Sequence, residues 1–409
     1  MSDFHQSGPV TALPRLVDRP VDDLESQILR LSQRFPVALV IPMVPEEMDR
    51  PALAAILKEL VQVPYLDTLV ISLNKATHDD YARAIEYFRP YPGRKTIVWS
   101  ESEPMTEFLK KMESSGLYVG APGKGRACWL ALGHILAEER SQYVAFQDAD
   151  VVNFRREMLA RLVLPAIDPT VDFDFVKGYY ARVSDRLHGR VTRLMLSPLL
   201  AAFTRLMGAD PYIRYLSSFR YALAGEFAMK TDLAERMRLA TDWGLEIVTL
   251  FEALRHRAPV RICQAELAER YDHKHQELSA DDPALGLHRM AKDVCKHLLR
   301  TLAAAGVNLS DGLFRSLLAA YQREAEDAVS DSHAVSVVNG LRFDRHEEER
   351  NVQTFTVALR ASIEEFLADP LGAPLVPNWA RVWAGMPDAA SQLLAAVHDG
   401  AAVPAGGAV

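Results

Sequence analysis

The feature that most restricts the fold is a series of short apolar runs separated by helical stretches in the first 150 residues. Val37-Ala38-Leu39-Val40-Ile41 reads as a strand stopped by Pro42, and helical spacing follows over 48–60. Thr68-Leu69-Val70-Ile71-Ser72 is a second strand, 79–88 a helix, and Thr96-Ile97-Val98-Trp99 a third strand. A helix over 124–139 leads to Tyr143-Val144-Ala145-Phe146. Fully apolar runs alternating with helices are the pattern of βαβ units around a mostly parallel sheet covered on both faces. The pattern loosens after Asp150. Asp174 to Tyr180 and Pro259 to Cys263 read as further strands and 191–206 as a helix. From about Ala284 the chain reads as nearly all helix, with Leu287, Met290, Val294, Leu298 and Leu302 at helical spacing. Further helical stretches cover 313–328 and 351–367. Residues 1–20 read as a loose tail and 401–409 as a frayed end.

Charge and cysteine usage exclude several classes of function. A formal net charge of −8 argues against a general nucleic-acid binder, which needs a basic surface to release counterions. It leaves room for a local basic pocket. The best membrane candidate, 194–207, is interrupted by Ser197, Pro198, Thr204 and Arg205, so no membrane association is expected. Cys128, Cys263 and Cys295 have neither disulfide-framework nor CxxC spacing, and the N-terminus lacks a secretory apolar core. Both point to the cytoplasm.

The chemistry-bearing residues cluster at segment ends. Asp148 and Asp150, in Phe146-Gln147-Asp148-Ala149-Asp150, follow a buried strand. Carboxylates at the carboxyl end of a parallel strand sit where open α/β sheets bind ligands. They suit a hard divalent cation such as Mg2+ or Mn2+, which can in turn hold a diphosphate. A solvated polar loop is the alternative. His273, in Tyr271-Asp272-His273-Lys274-His275, is a second candidate ligand or a surface histidine. Pro122-Gly123-Lys124-Gly125 opens a helix and offers backbone N–H groups and one lysine to an anion, or is an ordinary turn. Gly189-Arg190-Val191-Thr192 opens another helix and could cradle a phosphate or carboxylate. Lys177, Arg182 and His188 add positive charge nearby. Leu223-Ala224-Gly225-Glu226 reads as a close-approach loop. Glu246, in Trp243-Gly244-Leu245-Glu246, could bind sugar hydroxyls or simply favour its helix N-terminus.

Taken in order, Ile41-Pro42-Met43-Val44-Pro45-Glu46-Glu47, PGKG, DAD, GRVT, AGE, WGLE and the late histidine resemble the retaining glucosyl-3-phosphoglycerate synthases, a family of GT-A glycosyltransferases. The likeness spans about 36–280. It implies a GT-A domain over 21–230, an acceptor- and metal-binding part over 231–280 and a helical region over 281–400. It implies donor contacts from Pro42, Val44, Glu46, Ser72, Lys124, Asp148 and Glu246, and metal ligation by Asp150 and His273. Gly189, Arg190, Thr192 and His275 would meet the acceptor, while Lys124, Leu223 and Glu246 would border the reacting centre. The resemblance implies glucose transfer from a nucleoside diphosphate glucose to 3-phosphoglycerate, with Mg2+ or Mn2+, by a homodimer. Rivals are another donor or acceptor such as mannose or free glycerate, a sugar nucleotidyltransferase, and a non-catalytic sugar-nucleotide sensor.

Overall fold

The computed structural model describes residues 8–208, 210–271 and 286–402. Its strands are β1 (Thr11–Leu13), β2 (Val37–Met43), β3 (Leu66–Leu73), β4 (Lys95–Trp99), β5 (Tyr143–Phe146), β6 (Phe175–Tyr180), β7 (Phe227–Lys230) and β8 (Ile262–Ala268). Among the described residues they form one sheet in the order β1-β8-β6-β7-β5-β2-β3-β4. All pairings are parallel except those of β7, which runs antiparallel between β5 and β6.

Side-chain alternation explains the unbroken apolar strands. Ala38, Val40, Val70, Val98 and Val144 face one core, whereas Val37, Leu39, Ile41, Leu69, Ile71 and Ala145 face the other. Helices cover both faces, so every residue of β2 is buried. Helices Val21–Ser32, Pro51–Leu60, His78–Phe88 and Arg156–Ile167 contribute to the second core. Helix Lys124–Glu138 packs in the first. The late helices Gly286–Ala304, Asp311–Val338, Arg345–Ala368, Trp379–Gly385 and Ala389–Ala402 join that same core, through residues such as Leu298, Tyr321, Phe355, Trp379 and Leu393. Trp379 stacks on Trp129 at 4.5 Å, and each indole N–H bonds a carbonyl, of Trp129 and Pro377 respectively. The helical region is therefore built into the sheet domain's own interior.

Several expectations need correction. Pro42 does not stop β2, which continues to Met43. The Val40 carbonyl accepts from Gln147 N–H on the β5 side, and Pro42, two residues on, turns its missing N–H to that side beyond the end of β5. Residues 1–20 are not uniformly loose, because Thr11–Leu13 pairs with β8 as an edge strand. The late strand starts at Ile262 rather than Pro259, which opens a short 3₁₀ turn. Residues 191–206 divide into a π-turn, Val191–Leu196, and helix Ser197–Met207. Helices Glu103–Ser114 and Arg156–Ile167 and strand β7 were not foreseen. No described helix is long and apolar enough to cross a membrane. The three cysteines are free and buried.

Candidate active site

The strand order changes direction between β2 and β5, and open α/β sheets bind ligands at the carboxyl ends beside such a point. Asp148 and Asp150 follow β5 there, and Pro42, Val44 and Glu46 lie at the end of β2 and in the turn beyond it. Lys124 occupies the first position of helix Lys124–Glu138. A cation there opposes the helix dipole. Two carboxylates offset it: Lys124 Nζ lies 2.8 Å from Asp148 Oδ1 and 3.2 Å from Glu246 Oε1. Burial works against the ammonium, but Asp148 and Glu246 outweigh it and raise its pKa well above the ordinary lysine value.

The glycines explain how these three side chains meet. A Cβ on Gly125 would fall 1.9 Å from the Ala240 carbonyl oxygen, and one on Gly123 would fall 2.4 Å from that of Thr241. The helix start can therefore press against the segment leading to Glu246. The PGKG glycines serve this backbone approach. Gly225 plays the same part beside Asp148, whose Oδ2 would stand 2.1 Å from an added Cβ. On the way to Glu246, Asp242 accepts hydrogen bonds from Gly244 N–H at 2.9 Å and Lys296 at 2.9 Å, and meets His297 at 2.8 Å. Burial would raise its pKa, but His297 and Lys296 hold the carboxyl well below the usual range.

A second polar group lies beneath the first. Because β7 is antiparallel to β5 with Phe146 opposite Phe227, Glu226 comes to rest beside Gln147 and Asp148. Glu226 is fully buried. It accepts from Tyr180 at 2.7 Å, Tyr271 at 2.5 Å and Gln147 at 3.2 Å. The two tyrosine rings stack at 3.6 Å. Burial, and then the charge of Glu226, push both phenol pKa values well up. Lys177, also fully buried, donates to the Ala224 carbonyl at 2.6 Å and lies over the Phe227 ring at 5.3 Å. Burial lowers its pKa to about 8, with Glu246 and Glu226 opposing. It braces the turn that contains Leu223. Sequence reading noted Lys177 only as local positive charge and missed Glu226 as a hub. The available signal was a carboxylate inside an apolar run, Ala224-Gly225-Glu226-Phe227-Ala228.

The remaining expected residues fall in different places. Pro42 and Ser72 are paired across β2 and β3 and buried, and the Ser72 hydroxyl has no hydrogen-bond partner among the described residues. Val44 is half-buried and Glu46 exposed. Asp150 is half-buried; the pKa of the half-buried Arg182 is raised against desolvation mainly by Tyr221, then by Tyr180 and the charge of Asp150. Gly189 has φ +67°, a conformation that favours glycine, and an added Cβ would meet the Tyr221 ring at 3.1 Å. Arg190 and Thr192 line separate clefts, of about 910 Å³ and 510 Å³. The buried Thr192 hydroxyl has no partner among the described residues. His273 and His275 lie outside the described residues, which end on this stretch at Tyr271. Among the described residues no group of three or more His, Cys, Asp or Glu could hold a metal.

No protein-family model matches the chain. Whole-length relatives are clear. The glucosyl-3-phosphoglycerate synthase of Persephonella marina is 39% identical over 98% of this chain and 99% of its own. That of Methanococcoides burtonii is 34% identical over 96% of both. The chain belongs to the glucosyl-3-phosphoglycerate synthase family. Among solved structures, family members from Mycobacterium tuberculosis share the fold. One, in complex with Mn2+, UDP-glucose and phosphoglyceric acid, is 24% identical over 74% of this chain and 89% of that one, with a TM-score of 0.53. Another, in complex with Mg2+ and UDP, gives 22% identity over 74% and 88%, with a TM-score of 0.52. The architecture is accordingly that of the GT-A glycosyltransferases expected from the sequence.

Proposed function

We propose that the chain transfers glucose from UDP-glucose to the 2-hydroxyl of 3-phosphoglycerate with retention at the anomeric carbon. The observation that carries this reading is the Lys124 ammonium shared by Asp148 and Glu246 at the sheet's switch point, in a chain of this family. In the reaction the bond from the anomeric carbon to the diphosphate oxygen breaks. A bond from that carbon to the acceptor oxygen forms, and the acceptor proton passes to the departing diphosphate. Lys124 faces the charge that builds on that diphosphate, where a fixed cation stabilises the transition state. Glu246 accepts hydrogen bonds from the sugar, and Asp148 holds Lys124 and the ribose. Pro42, Val44, Glu46 and Ser72 border the nucleoside. Gly189, Arg190, Thr192 and His275 orient the acceptor, and positioning supplies much of the rate. The backbone of Leu223, braced through Ala224 by Lys177, borders the reacting centre.

A divalent cation fits the donor set. Carboxylates one residue apart on a strand end suit Mg2+ or Mn2+, which binds through few protein oxygens and completes its shell with phosphate and water. Asp150 and His273 would hold it, and it would supply Lewis-acid neutralisation of the diphosphate. The M. tuberculosis structures with Mn2+ or Mg2+ support this part.

A donor and acceptor matrix with and without added Mn2+ tests the reading. Expected are release of UDP, strict metal dependence and an α-linked product by NMR. Release of pyrophosphate would point to nucleotidyl transfer, absence of turnover to a sensor, and preference for glycerate or a mannose donor to a sister activity. Trapping a covalent glycosyl-enzyme adduct would overturn same-face attack. The reading includes a cytoplasmic homodimer, which sedimentation equilibrium checks for assembly.

A further inference from the structure

The late helices reach the acceptor end of the site through one carboxylate. The cleft of about 910 Å³ lies between the 184–190 loop and the 342–348 segment that opens helix Arg345–Ala368. Arg186 and Arg190 line it, and Glu347 faces both. Arg186 Nη1 donates to Glu347 Oε2 at 3.0 Å, and Arg190 Nη1 lies 3.5 Å from Glu347 Oε1. One carboxylate thus serves two guanidiniums. The adjacent acid is engaged differently. Glu348 takes a two-pronged grip from Arg193, at 2.5 and 3.0 Å, and Arg193 also donates to Ser332 at 2.8 Å. Asp344 accepts the Glu347 N–H at 3.0 Å, which fixes where the Glu347 side chain starts. The Ser336 hydroxyl, almost fully buried, lines the same cleft with no partner among the described residues. The cleft therefore presents two guanidiniums that share one carboxylate, and guanidiniums are the parts an anionic ligand would engage.

Resting on the acceptor role proposed above for Arg190, we propose that Glu347 is a positioning residue that holds the Arg186–Arg190 pair until an acceptor anion displaces it, and so sets the acceptor affinity. A tethered carboxylate competes at high effective concentration. Free glycerate brings only an equivalent carboxylate and exchanges without gain. A phosphate brings more charge and a better geometric match to arginine, so it wins the exchange.

The test uses the full chain with Glu347→Gln and Glu347→Asp. Glu347 is about one-third exposed, so its loss leaves the core intact. For Glu347→Gln the KM for 3-phosphoglycerate should fall roughly two- to fivefold, the scale of one screened ion pair. The kcat and the KM for UDP-glucose should stay unchanged. The KM for glycerate, which must displace the same carboxylate, should fall by a similar factor, and Glu347→Asp should restore the wild-type values. An unchanged or raised acceptor KM overturns the proposal. Calorimetric titration with inorganic phosphate separates this from the reaction itself. If wild type fails to turn over 3-phosphoglycerate, the functional reading falls, while tighter phosphate binding by Glu347→Gln still supports the competitor and unchanged binding overturns it.

Discussion

The two ends of the proposed site, donor and acceptor, are built in opposite ways. At the donor end Lys124, Asp148 and Glu246 make direct contacts at 2.8 and 3.2 Å, on the first turns of two helices and the end of a central strand. At the acceptor end Arg186 and Arg190 come from a loop and a helix start, and their counter-ion Glu347 arrives from 157 or more residues later in the chain. The donor end is fixed by the sheet and its glycine contacts, with charges matched within the group. The acceptor end is closed only when the late helices dock. Even the donor end leans on them, since Asp242 before Glu246 is held by His297 and Lys296.

The strongest way to break this contrast is to loosen the docking. Trp379→Ala removes the stack on Trp129, which belongs to the helix that begins with Lys124. Loss of a fully buried tryptophan costs about 3–5 kcal/mol. Chemical denaturation should show one cooperative transition shifted by that amount. A separate early transition confined to the late helices would mean that they are an independent module.

Next in size is Lys124→Met, aimed at the donor end alone. Removal of one fixed charge-stabilising group lowers kcat roughly 10²–10³-fold. The KM for 3-phosphoglycerate should hardly move. A loss confined to the acceptor KM would place Lys124 outside the donor chemistry.

How much of this was legible in the sequence follows from where each residue gets its neighbours. Strands β2 and β5 were readable because burial on both faces makes them apolar throughout, and β3 and β4 through the shorter apolar stretches Leu69-Val70-Ile71 and Ile97-Val98. Strand β7 was not, since its four residues pair antiparallel with strands from distant parts of the chain. The ordered motifs marked Lys124, Asp148 and Glu246 as a set. For Glu226 the only local sign is its place in an apolar run, because its partners Tyr180, Gln147 and Tyr271 come from distant parts of the chain. Glu347 and Glu348 stand in the charged run Arg345-His346-Glu347-Glu348-Glu349, which carries no local sign of what they meet. Their arginine partners lie on the far side of the sequence.

Lys177 sharpens the comparison through pH. Its pKa of about 8 in the fold lies below the ordinary lysine value of 10.5. Between these values the unfolded chain binds more protons, so this group's contribution makes stability rise with pH. Below about pH 8 the full cost of burying its charge is present. The contribution relieved between pH 8 and 9.5 is about 2 kcal/mol. It should appear as the difference in slope between wild type and Lys177→Met in denaturation series over that window. Parallel slopes would show that Lys177 does not titrate there.

The smallest effect is expected at the outer edge of the acceptor end. Arg342 pairs with Asp185 at 3.0 Å, and their backbones also join through Arg342 N–H and the Asp185 carbonyl at 2.8 Å. Both side chains are exposed, at 72% and 54%. Screening by solvent limits such a pair to less than about 1 kcal/mol. Arg342→Ala keeps the backbone bond, so denaturation should detect little change, and the acceptor KM should move less than in Glu347→Gln. If Arg342→Ala instead matched that variant, acceptor control would belong to the cleft's overall charge and not to Glu347 in particular.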